Sequence, residues 1–518
     1  MALHILLTWL ALSLPLLLLL LSVKNFRKKN QATTSTTTTT MKEEKKNLPP
    51  GPPSLPIIGN LHQLGHLPHQ SLWKLSRQYG PVMLIHLGGI PTVIVSSPSA
   101  AGEVLKTHDL ECCSRPRLVG TGRLSYDYLD IAFVEYGDYW RELRKLVVLE
   151  LFSAKRAQSF RYVREEEVGS MIELITESAE NRTPVNMSEK FMALTANITC
   201  RVAFGKAFQA TEFDDGRLVH MIHEALAMLG SFSASDFFPR FGWIVDRFTG
   251  LHSRLEKSFR NLDVIYQKVI DEHRNANKSN EEEEDIVDLL LKMERDQTVL
   301  AGVRLKEDNI KAILMDIFIA GVNSSALVMD WTMAELARNP RVMRKARAEI
   351  RSCVGNKKWI VEDDLHELKY LKLVLKEAMR LHPPSVLLLP RETVDHFKLF
   401  GYNVDPKTRV QVNVWGIGRD PSLWEGPEEF VPERFEDSPI DYKGNHFELL
   451  TFGAGRRGCP AISMGMAVVE LALANFLHSF DWELPEGMTE EDVSMEEGAG
   501  LTVFKKLPLI LLPVKPSH

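Results

Sequence analysis

The hydrophobic pattern divides the chain into an apolar N-terminus, a polar stretch and a long mixed region. Residues 1–23 are nearly all apolar, and at about 1.5 Å per residue such a helix can cross a bilayer core. Residues 24–48 are basic and threonine-rich, cannot bury apolar surface, and predict a flexible tether. Residues 49–518 contain no further linker, so one large globular domain is the simplest account of them.

Helical periodicity dominates this domain. From Ile310 onwards, apolar residues recur at i, i+3, i+4 and i+7, which predicts a buried helix over about residues 308–338. Gly321 lies in its middle, where a glycine costs about 1 kcal/mol against alanine and indicates the close approach of a flat group. Apolar and β-branched residues broken by Gly and Pro at 55–58 and 82–95 predict a small sheet. The expected fold class is mainly α with minor β.

The charges that flank the first apolar segment predict its orientation. Lys24, Arg27, Lys28 and Lys29 follow it, whereas no Lys or Arg precedes it. The positive-inside rule therefore places the N-terminus in the lumen and the remainder in the cytosol. A cleaved signal peptide is the alternative, but it needs a preceding positive charge and a small-residue cleavage site, and neither is evident. We expect an uncleaved, single-pass membrane anchor.

Composition argues against several classes of protein. The formal net charge is −6 at pH 7 and no basic stripe is present, so we expect no nucleic-acid partner. The five cysteines include no Cys-x-x-Cys pair, which leaves cysteine-based zinc sites, iron–sulfur clusters and c-type haem without support. His220 and His223 could pair on a metal ion, but no third ligand lies near them and an ordinary amphipathic helix is favoured.

One cysteine lies in a distinctive setting, because residues 452–460 read Phe-Gly-Ala-Gly-Arg-Arg-Gly-Cys-Pro. An apolar helical segment follows, so we expect Cys459 at a helix N-terminus with Pro460 in the first turn. Free N–H groups and the helix dipole there favour the thiolate, the form of cysteine that binds metal. The glycines allow tight turns, and Arg457 supplies a cation suited to a buried carboxylate. The alternative is a glycine loop with an inert cysteine.

This segment resembles the haem-ligand loop of the cytochrome P450 superfamily, which reads Phe, two residues, Gly, any, Arg, any, Cys, any, Gly. Phe452, Gly455, Arg457 and Cys459 match, and Ala461 replaces the final glycine. The resemblance implies the cytochrome P450 fold and haem b (iron protoporphyrin IX) as the cofactor. Cys459 would be the metal ligand, and Phe452, Gly455 and Arg457 would be cofactor contacts.

Two further segments resemble the part of this superfamily that carries a buried charge network. They are Glu377-Ala378-Met379-Arg380, before a double proline that ends a helix, and Pro432-Glu433-Arg434-Phe435. In the family's arrangement Glu377, Arg380 and Arg434 form the network behind the haem. Removing one partner would leave a buried charge at a cost of about 3–5 kcal/mol, so these residues are fold determinants and not catalysts.

Three other residues match family positions that contact the haem propionates. Trp140-Arg141-Glu142-Leu143-Arg144 resembles a helix from which Trp140 and Arg144 reach a propionate, and Arg391 lies where members place another propionate partner. Taken alone, each arginine would be read as solvated, because Arg is rarely buried without a partner. Four motifs in the family's order, from Trp140 to Cys459, favour the haem interpretation.

The centre of the predicted helix, Ala320-Gly321-Val322-Asn323-Ser324-Ser325, resembles the superfamily's oxygen-handling segment. That segment carries an acid followed by a threonine, whereas this chain has Asn323 and Ser324. The resemblance implies that Asn323, Ser324 and Ser325 are the catalytic positions. An amide cannot shuttle protons by changing its ionisation state, so the departure bears on proton delivery.

The proline-rich hinge at 49–53 and the Leu-His-Pro-Pro segment at 381–384 are similar to plant A-type members, the clan that contains family 71. This implies a monooxygenase of the endoplasmic reticulum membrane with a cytosolic catalytic domain at 49–518. Its electrons would come from NADPH through a membrane-bound reductase, which would dock near Arg144, Lys145 and Arg456.

By position relative to the motifs, the substrate pocket should be mainly apolar, which fits a hydrophobic terpenoid, alkaloid or phenolic. Its expected contacts are Asp127 to Phe133, Phe237-Phe238, Ala320, Val386-Leu387 and Leu501-Thr502. Two alternatives remain open. One is a reductase-independent isomerase or dehydratase, to which the Asn323-Ser324 pair gives some support. The other is a non-catalytic haem-binding protein.

Overall fold

The computed structural model describes residues 47–206, 217–275, 284–355 and 357–516. The predicted membrane anchor at 1–23 lies outside the described residues, as does the predicted tether apart from Asn47 and Leu48.

Helices make up most of the described chain. They are α1 (Pro68–Tyr79), α2 (Pro98–Gly102), α3 (Asp109–Cys112), α4 (Val119–Leu124), α5 (Asp138–Leu146), α6 (Ala154–Ser159), α7 (Arg161–Glu180), α8 (Met187–Phe204), α9 (Arg217–Leu229), α10 (Ala234–Phe237), α11 (Gly242–Phe248), α12 (Leu251–Asn275), α13 (Ile286–Arg295), α14 (Glu307–Arg338), α15 (Pro340–Val354), α16 (Lys369–Leu381), α17 (Val414–Ile417) and α18 (Ile462–Ser479). Short 3-10 or π segments are Leu61–Gln63, Glu103–Thr107, Val147–Leu151, Glu362–Glu367, Pro432–Phe435, Gly455–Arg457 and Glu490–Asp492.

The strands form one four-stranded sheet and several smaller ones. They are β1 (Val82–Leu87), β2 (Ile90–Val95), β3 (Val185–Asn186), β4 (Val299–Leu300), β5 (Val303–Arg304), β6 (Arg391–Glu392), β7 (Phe397–Leu399), β8 (Tyr402–Val404), β9 (Arg409–Val412), β10 (Asp481–Glu483), β11 (Glu497–Gly498), β12 (Phe504–Lys505) and β13 (Ile510–Val514). The four-stranded sheet has the order β1-β2-β9-β6, in which β2 and β9 are parallel and the other pairs are antiparallel. A three-stranded sheet has the order β10-β13-β3, and three two-stranded sheets complete the set. The fold class is therefore mainly α with minor β, as the sequence predicts.

The sheet prediction is correct for residues 82–95, which form the β1–β2 hairpin. It is wrong for residues 55–58, where Leu55 forms only an isolated bridge with Gly59. Prolines at 52, 53 and 56 interrupt this segment, and because proline has no backbone N–H it cannot donate to a ladder.

The long helix α14 runs through the core, and its bounds confirm the prediction of about 308–338. It packs against α8, α12, α13, α15, α16 and α18. Both α14 and α18 are long and apolar enough to cross a membrane, yet 72% and 56% of their most apolar windows are buried inside the fold. Their hydrophobicity is thus that of core helices.

Gly321 allows α8 to pack closely against α14. A Cβ built on Gly321 would lie 3.2 Å from the hydroxyl oxygen of Thr199 on α8. The expected approach of a flat group stays a prediction.

The predicted charge network is present and buried. Arg380 donates from Nε and Nη2 to the two carboxylate oxygens of Glu377, at 2.7 and 2.8 Å, and neither side chain is exposed. Arg434 donates from Nε to Glu377 Oε1 at 2.9 Å, and the Val431 N–H donates to the same oxygen at 2.9 Å. The remaining Arg380 donors reach backbone carbonyls of residues 418, 427 and 429.

This network fixes the end of α16 to the Pro432–Phe435 turn and the residues before it. The helix ends at Leu381, just before Pro383 and Pro384, as two prolines require. Because the carboxylate is matched by cations and by a backbone N–H, the burial of these charges is compensated.

Candidate functional site

Cys459 lies in the loop between the Gly455–Arg457 turn and α18. Its N–H donates to the Phe452 carbonyl at 2.9 Å, which closes the loop into a tight turn. Gly455 has a φ of +69°, and a Cβ there would lie 2.1 Å from the Leu105 carbonyl oxygen. No other residue could occupy that position without moving the backbone.

The apolar segment at 462–477 correctly locates the helix that follows, but the expected placement of Pro460 in its first turn is wrong. The helix starts at Ile462, so Pro460 precedes the first turn and Cys459 is not at the helix N-terminus. The sulfur instead accepts a hydrogen bond from the Ala461 N–H. Ala461 and the nearby Arg144 both lower the pKa of Cys459, but burial outweighs them and holds it above its ordinary value.

The Ala461 N–H and Arg144 therefore favour a thiolate, and burial opposes them. A bound metal ion would supply further positive charge by deprotonating its sulfur ligand. This half-buried thiol with one N–H donor would suit the ligand of a haem iron.

Arg457 holds three backbone carbonyls with its three nitrogens. It donates to the Cys113 oxygen at 2.8 Å, the Ile131 oxygen at 3.2 Å and the Val134 oxygen at 2.6 Å. Its guanidinium lies 4.2 Å from the centre of the Trp140 ring, a cation–π contact. The guanidinium is thus locked in place between α5 and two loops.

Arg144 and Arg391 hold the Cys459 loop from two sides. Arg144 donates from Nη2 to the Gly458 carbonyl at 2.6 Å. Arg391 donates to Asp109 Oδ1 at 2.6 Å and to the Ala454 carbonyl at 3.0 Å. Both arginines therefore converge on the loop through protein oxygen atoms, and their predicted contact with the haem propionates stays a prediction.

Arg115 is a further member of the site that the motifs do not identify. It is 5% exposed, and donates from Nε to the Ala132 carbonyl at 3.0 Å. Its Nη1 reaches the carbonyls of Leu389 and Pro390 at 2.7 and 2.9 Å. Arg117, two residues later, is 62% exposed, and no local pattern in the sequence distinguishes the two arginines.

These residues form a group of cations here termed the arginine cluster: Arg115, Arg144, Arg391 and Arg457. Burial, followed by repulsion from Arg457 and Arg391, holds the pKa of Arg115 well below its ordinary value. Burial also lowers the pKa of Arg457 to about 10. In the described part of the chain, two carboxyl groups, Asp109 and Asp130, face the four guanidinium groups.

The cluster therefore carries an excess of buried positive charge. Unmatched buried charge is costly, so a ligand with two carboxylates would balance it. The two propionates of haem b meet that requirement, and planar guanidinium groups suit carboxylates. The donor set fits the cofactor that the sequence implies.

Trp140 and Phe452 support this site in ways that differ from the expected cofactor contacts. The Trp140 indole N–H donates to the Ile131 carbonyl at 3.1 Å, so its one donor is already bound. In the described structure, its aromatic ring packs against the guanidinium group of Arg457. The Phe452 ring packs against Tyr442 at 5.5 Å, and its carbonyl holds Cys459.

The central turn of α14 directs its three predicted catalytic residues to different neighbours. Asn323 is buried, and its Nδ2 donates to the Thr502 hydroxyl at 2.8 Å. The Ser324 hydroxyl is half-buried and donates to the Ala320 carbonyl at 2.8 Å. Ser325 is buried and lies beside Gly465 of α18. Ala320 is exposed in the middle of an otherwise buried helix. Ser324 follows one turn later, so it is the one of the three residues that lies on the same face as Ala320.

Several predicted pocket segments meet α14 along this stretch. Asp316, one turn before Ala320, accepts hydrogen bonds from the loop at 131–132. Val386 packs with Trp331 and its neighbours further along the helix. Phe237 and Phe238 lie elsewhere, because they pack against the turn between β1 and β2.

A group with metal-ligand spacing among the described residues is His273, Asp285 and Asp288. His273 donates from Nδ1 to the Val269 carbonyl at 2.7 Å and binds Asp285 through Nε2 at 2.8 Å. Asp285 and Asp288 form the capping box of α13, which accounts for their proximity. His220 and His223 do not belong to this group, and burial lowers the pKa of His223.

The chain resembles known proteins over almost the whole described domain. A family model described as Cytochrome P450 matches residues 49–512. Cytochrome P450 71B10 of Arabidopsis thaliana is 56% identical over 470 residues, which cover 90% of this chain and 93% of that protein. Cytochrome P450 71B36 of the same plant is 55% identical over 467 residues, with the same coverage.

Solved structures give the same result for the fold. A zebra fish cytochrome P450 with abiraterone has a TM-score of 0.73 at 26% identity, covering 88% of this chain and 100% of that chain. A zebra fish cytochrome P450 with progesterone has a TM-score of 0.75 at 26% identity, covering 86% and 99%. The matched regions include the Cys459 loop, the arginine cluster and α14.

We predict that Asp109→Asn destabilises the protein by about 3–5 kcal/mol, because it removes a buried anion that balances two arginines. Asp109 is 2% exposed and accepts hydrogen bonds from Arg391 and from the backbone and side chain of Arg456. Denaturant unfolding of the purified protein measures the loss. Asp138→Asn is the control, since Asp138 pairs with Arg141 at the surface. Equal effects of the two variants would contradict the prediction.

Proposed function

Because the chain belongs to the cytochrome P450 family and is a monooxygenase of the plant 71 type, we propose that it oxygenates a hydrophobic specialised metabolite. One oxygen atom of O2 would enter a terpenoid, alkaloid or phenolic substrate, and the other would leave as water. NADPH would supply the electrons through a cytochrome P450 reductase. The observation that carries this proposal is the arginine cluster beside Cys459, whose excess positive charge suits haem b.

The residues of the chain have distinct tasks in this scheme. Bound haem supplies the activation of O2, and a thiolate ligand favours cleavage of the O–O bond by donating electron density. Cys459 would be that ligand, and the Ala461 N–H would hold the sulfur in place and moderate its negative charge. Arg115, Arg144 and their two partners in the cluster would bind the propionates.

The substrate would lie against the exposed side of α14 at Ala320. The loop at 131–133 approaches this helix through Asp316, and the segment at 501–502 approaches it through Asn323. Ile131 and Phe133 are apolar, as is Val386. An apolar surface with few polar groups supports a hydrophobic substrate and the exclusion of bulk water.

Proton delivery is where this chain differs from relatives that carry an acid at position 323. Asn323 cannot change its ionisation state, and its amide is bound to Thr502. The Ser324 proton is directed at the Ala320 carbonyl, so this hydroxyl must rotate before it can donate elsewhere. We infer that water ordered by Ser324 carries the protons, and that turnover is slower and less tightly coupled to product than in relatives with the acid.

We also propose that the domain rests on the endoplasmic reticulum membrane, tied to it by residues 1–23. Ile58 accepts a hydrogen bond from the Gly88 N–H, while Gly89 donates to the Phe237 carbonyl, so two exposed apolar segments adjoin. These segments are here termed the apolar patch: Leu55, Ile57, Ile58, Phe241, Trp243, Ile244, Val245 and Phe248. Its position beside the start of the domain supports contact with the bilayer surface. Lys145 and Arg456 are exposed near Cys459 and offer positive charge to an acidic reductase.

The first test of this proposal concerns Cys459. In microsomes with reductase, the reduced carbon-monoxide complex should show the red-shifted Soret band of thiolate haem. A plant metabolite extract should then yield, by mass spectrometry, a product heavier by one oxygen atom that depends on NADPH. Cys459→Ser should abolish both signals, because it removes the thiolate.

Cys113→Ser is the matched control, since Cys113 is buried near the same arginines but bonds to the Leu110 carbonyl. A Cys459→Ser protein that retains the band would refute the ligand assignment. Product formed equally well without NADPH would favour the reductase-independent isomerase or dehydratase.

The second test concerns proton delivery. Asn323→Asp combined with Ser324→Thr should raise the product formed per NADPH by about 10-fold or more, because positioned acid–base groups typically contribute 10²–10⁴-fold. Peroxide release should fall in parallel. Each single substitution is a control for the other, since Asn323→Asp alone still allows a hydrogen bond with Thr502. Unchanged coupling in the double variant would mean that the proton path lies elsewhere.

The third test concerns the membrane. Deletion of residues 1–30 should make the protein extractable by carbonate while it remains folded and binds vesicles peripherally. Trp243→Ser with Phe248→Ser in the truncated protein should then weaken vesicle binding, because these side chains are 60% and 89% exposed. Leu149→Ser, an exposed apolar residue outside the patch, is the control. Full resistance of the truncated protein to carbonate would contradict the anchor.

A further inference from the structure

A short loop at residues 129–134 crosses from the arginine cluster to α14 and is held on both sides. On the cluster side, its carbonyls are bound by Arg457, which reaches Ile131 and Val134, and by Arg115, which reaches Ala132. These contacts tie the loop to the cations that would hold the cofactor.

Two carboxyl groups bind its backbone N–H groups, one from α14 and one from the loop itself. Asp316 Oδ2 accepts from Ile131 at 2.8 Å and from Ala132 at 3.2 Å. Asp130 Oδ2 accepts from Phe133 at 2.7 Å. Each of these three consecutive N–H groups is therefore bound by an aspartate.

The two aspartates also lie close together. They bind consecutive N–H groups of one short loop, and the fully buried Asp130 interacts electrostatically with Asp316. In the described part of the structure, Asp130 Oδ1 has no hydrogen-bond partner unless the opposite carboxyl group carries a proton. Two ionised carboxylates in contact repel each other, so one proton between them satisfies both the contact and this oxygen.

The surroundings indicate which carboxyl group carries the proton. Burial and the adjacent Asp130 hold the pKa of Asp316 well above its ordinary range. Burial raises the pKa of Asp130 as well, but backbone N–H groups and Arg457 oppose that shift. Asp130 Oδ1 is the oxygen that lacks a partner, so Asp130 is the acceptor and Asp316 the donor.

We propose that Asp130 and Asp316 share one proton and act as positioning residues, which fix the loop at 129–134 against α14 and thereby orient the substrate. The proposal rests on the monooxygenase function proposed above. It assigns a task to the fully buried Asp130 and the half-buried Asp316, to which the proposed function gives none. Asp316 lies one turn before Ala320, so a shift of the loop would change the space beside the predicted oxygen-handling segment.

Four residues surround the two carboxyl groups, and their charges or hydroxyl groups affect how tightly the pair holds its proton: Arg115, Tyr139, Tyr266 and Arg457. Tyr139 also donates to the Leu129 carbonyl at 2.9 Å and accepts from Asn309 of α14 at 2.9 Å. The loop is thus tied to the helix at Leu129 as well as at 131–132.

The test compares two substitutions of Asp316 in the full-length holoenzyme. Asp316→Asn imitates the protonated acid, since its oxygen can accept from the loop and its NH2 can donate to Asp130. Asp316→Leu removes both contacts. Asp330→Leu is the matched control, because Asp330 is a buried acid of the same helix that binds Ser188 and not the loop.

Hydrogen exchange of the peptide that contains residues 129–134 is the first readout, and it does not depend on catalysis. Asp316→Leu should speed exchange by about 10-fold or more, whereas Asp316→Asn and Asp330→Leu should stay near the wild-type rate. The second readout is spectral titration with imidazole, which ligates a haem iron from the substrate side. Its Kd should change in Asp316→Leu and not in Asp316→Asn.

Two results would overturn the proposal. One is wild-type exchange in Asp316→Leu, which would mean that the pair does not hold the loop. The other is faster exchange in Asp316→Asn, which would mean that no proton is shared. If the wild-type protein lacked the thiolate-haem band, the proposed function would fail while the exchange results still tested the pair.

Should Asp316→Leu not accumulate, a pH series of the wild-type protein carries the test. An acid with a raised pKa keeps its proton at low pH and loses it as the pH rises through that value. Loop exchange, corrected for its intrinsic rate, should therefore increase as the pH rises in the wild type and not in Asp316→Asn. A flat profile in the wild type would refute the shared proton.

Discussion

The excess of positive charge beside Cys459 is the constraint on which the surrounding structure depends. Burial disfavours a guanidinium ion, and the described residues supply fewer carboxylates than cations around it. The chain compensates by surrounding Arg457 and Arg115 with backbone carbonyls, which take up their N–H donors and in turn hold three separate segments. The loops around the site are therefore organised by the cations, and the cations require an anionic ligand.

The network of Glu377, Arg380 and Arg434 shows the contrasting solution. There the carboxylate meets two arginines and a backbone N–H, and the leftover donors reach carbonyls, so no ligand is needed. One group of buried charges thus serves the fold and the other serves a bound molecule. The distinction lies in the presence or absence of matching anions and not in the degree of burial.

The sequence predicts best those features that depend on a repeated pattern. The bounds of α14 follow from its apolar stripe, and the charge network and Arg144 follow from motifs with fixed spacing. Features that depend on a distant neighbour are not predictable in this way. Arg115 and Arg117 have the same local sequence character, yet only tertiary packing buries the first.

Other differences between the sequence-based expectations and the structure also have specific physical causes. Gly321 faces Thr199, a residue more than a hundred positions earlier, so the reason for the glycine is visible only after α8 has packed. The thiolate was expected from a helix N-terminus, but α18 starts three residues beyond Cys459 and burial dominates the pKa. The acid pair of Asp130 and Asp316 joins a loop to a helix across the core and leaves no pattern in the sequence.

The hydrogen bond between Asn323 and Thr502 has a consequence for the way this enzyme can change over evolution. It joins the oxygen-handling turn to a segment expected to touch substrate, 179 positions away in the chain. A mutation that gives position 502 an apolar side chain leaves the buried amide without its acceptor, and an acid at 323 reverses the direction of donation. The two positions are therefore coupled, and a substitution at 502 changes the hydrogen bonding of the α14 turn in the same step. Libraries for directed evolution should vary the two codons jointly.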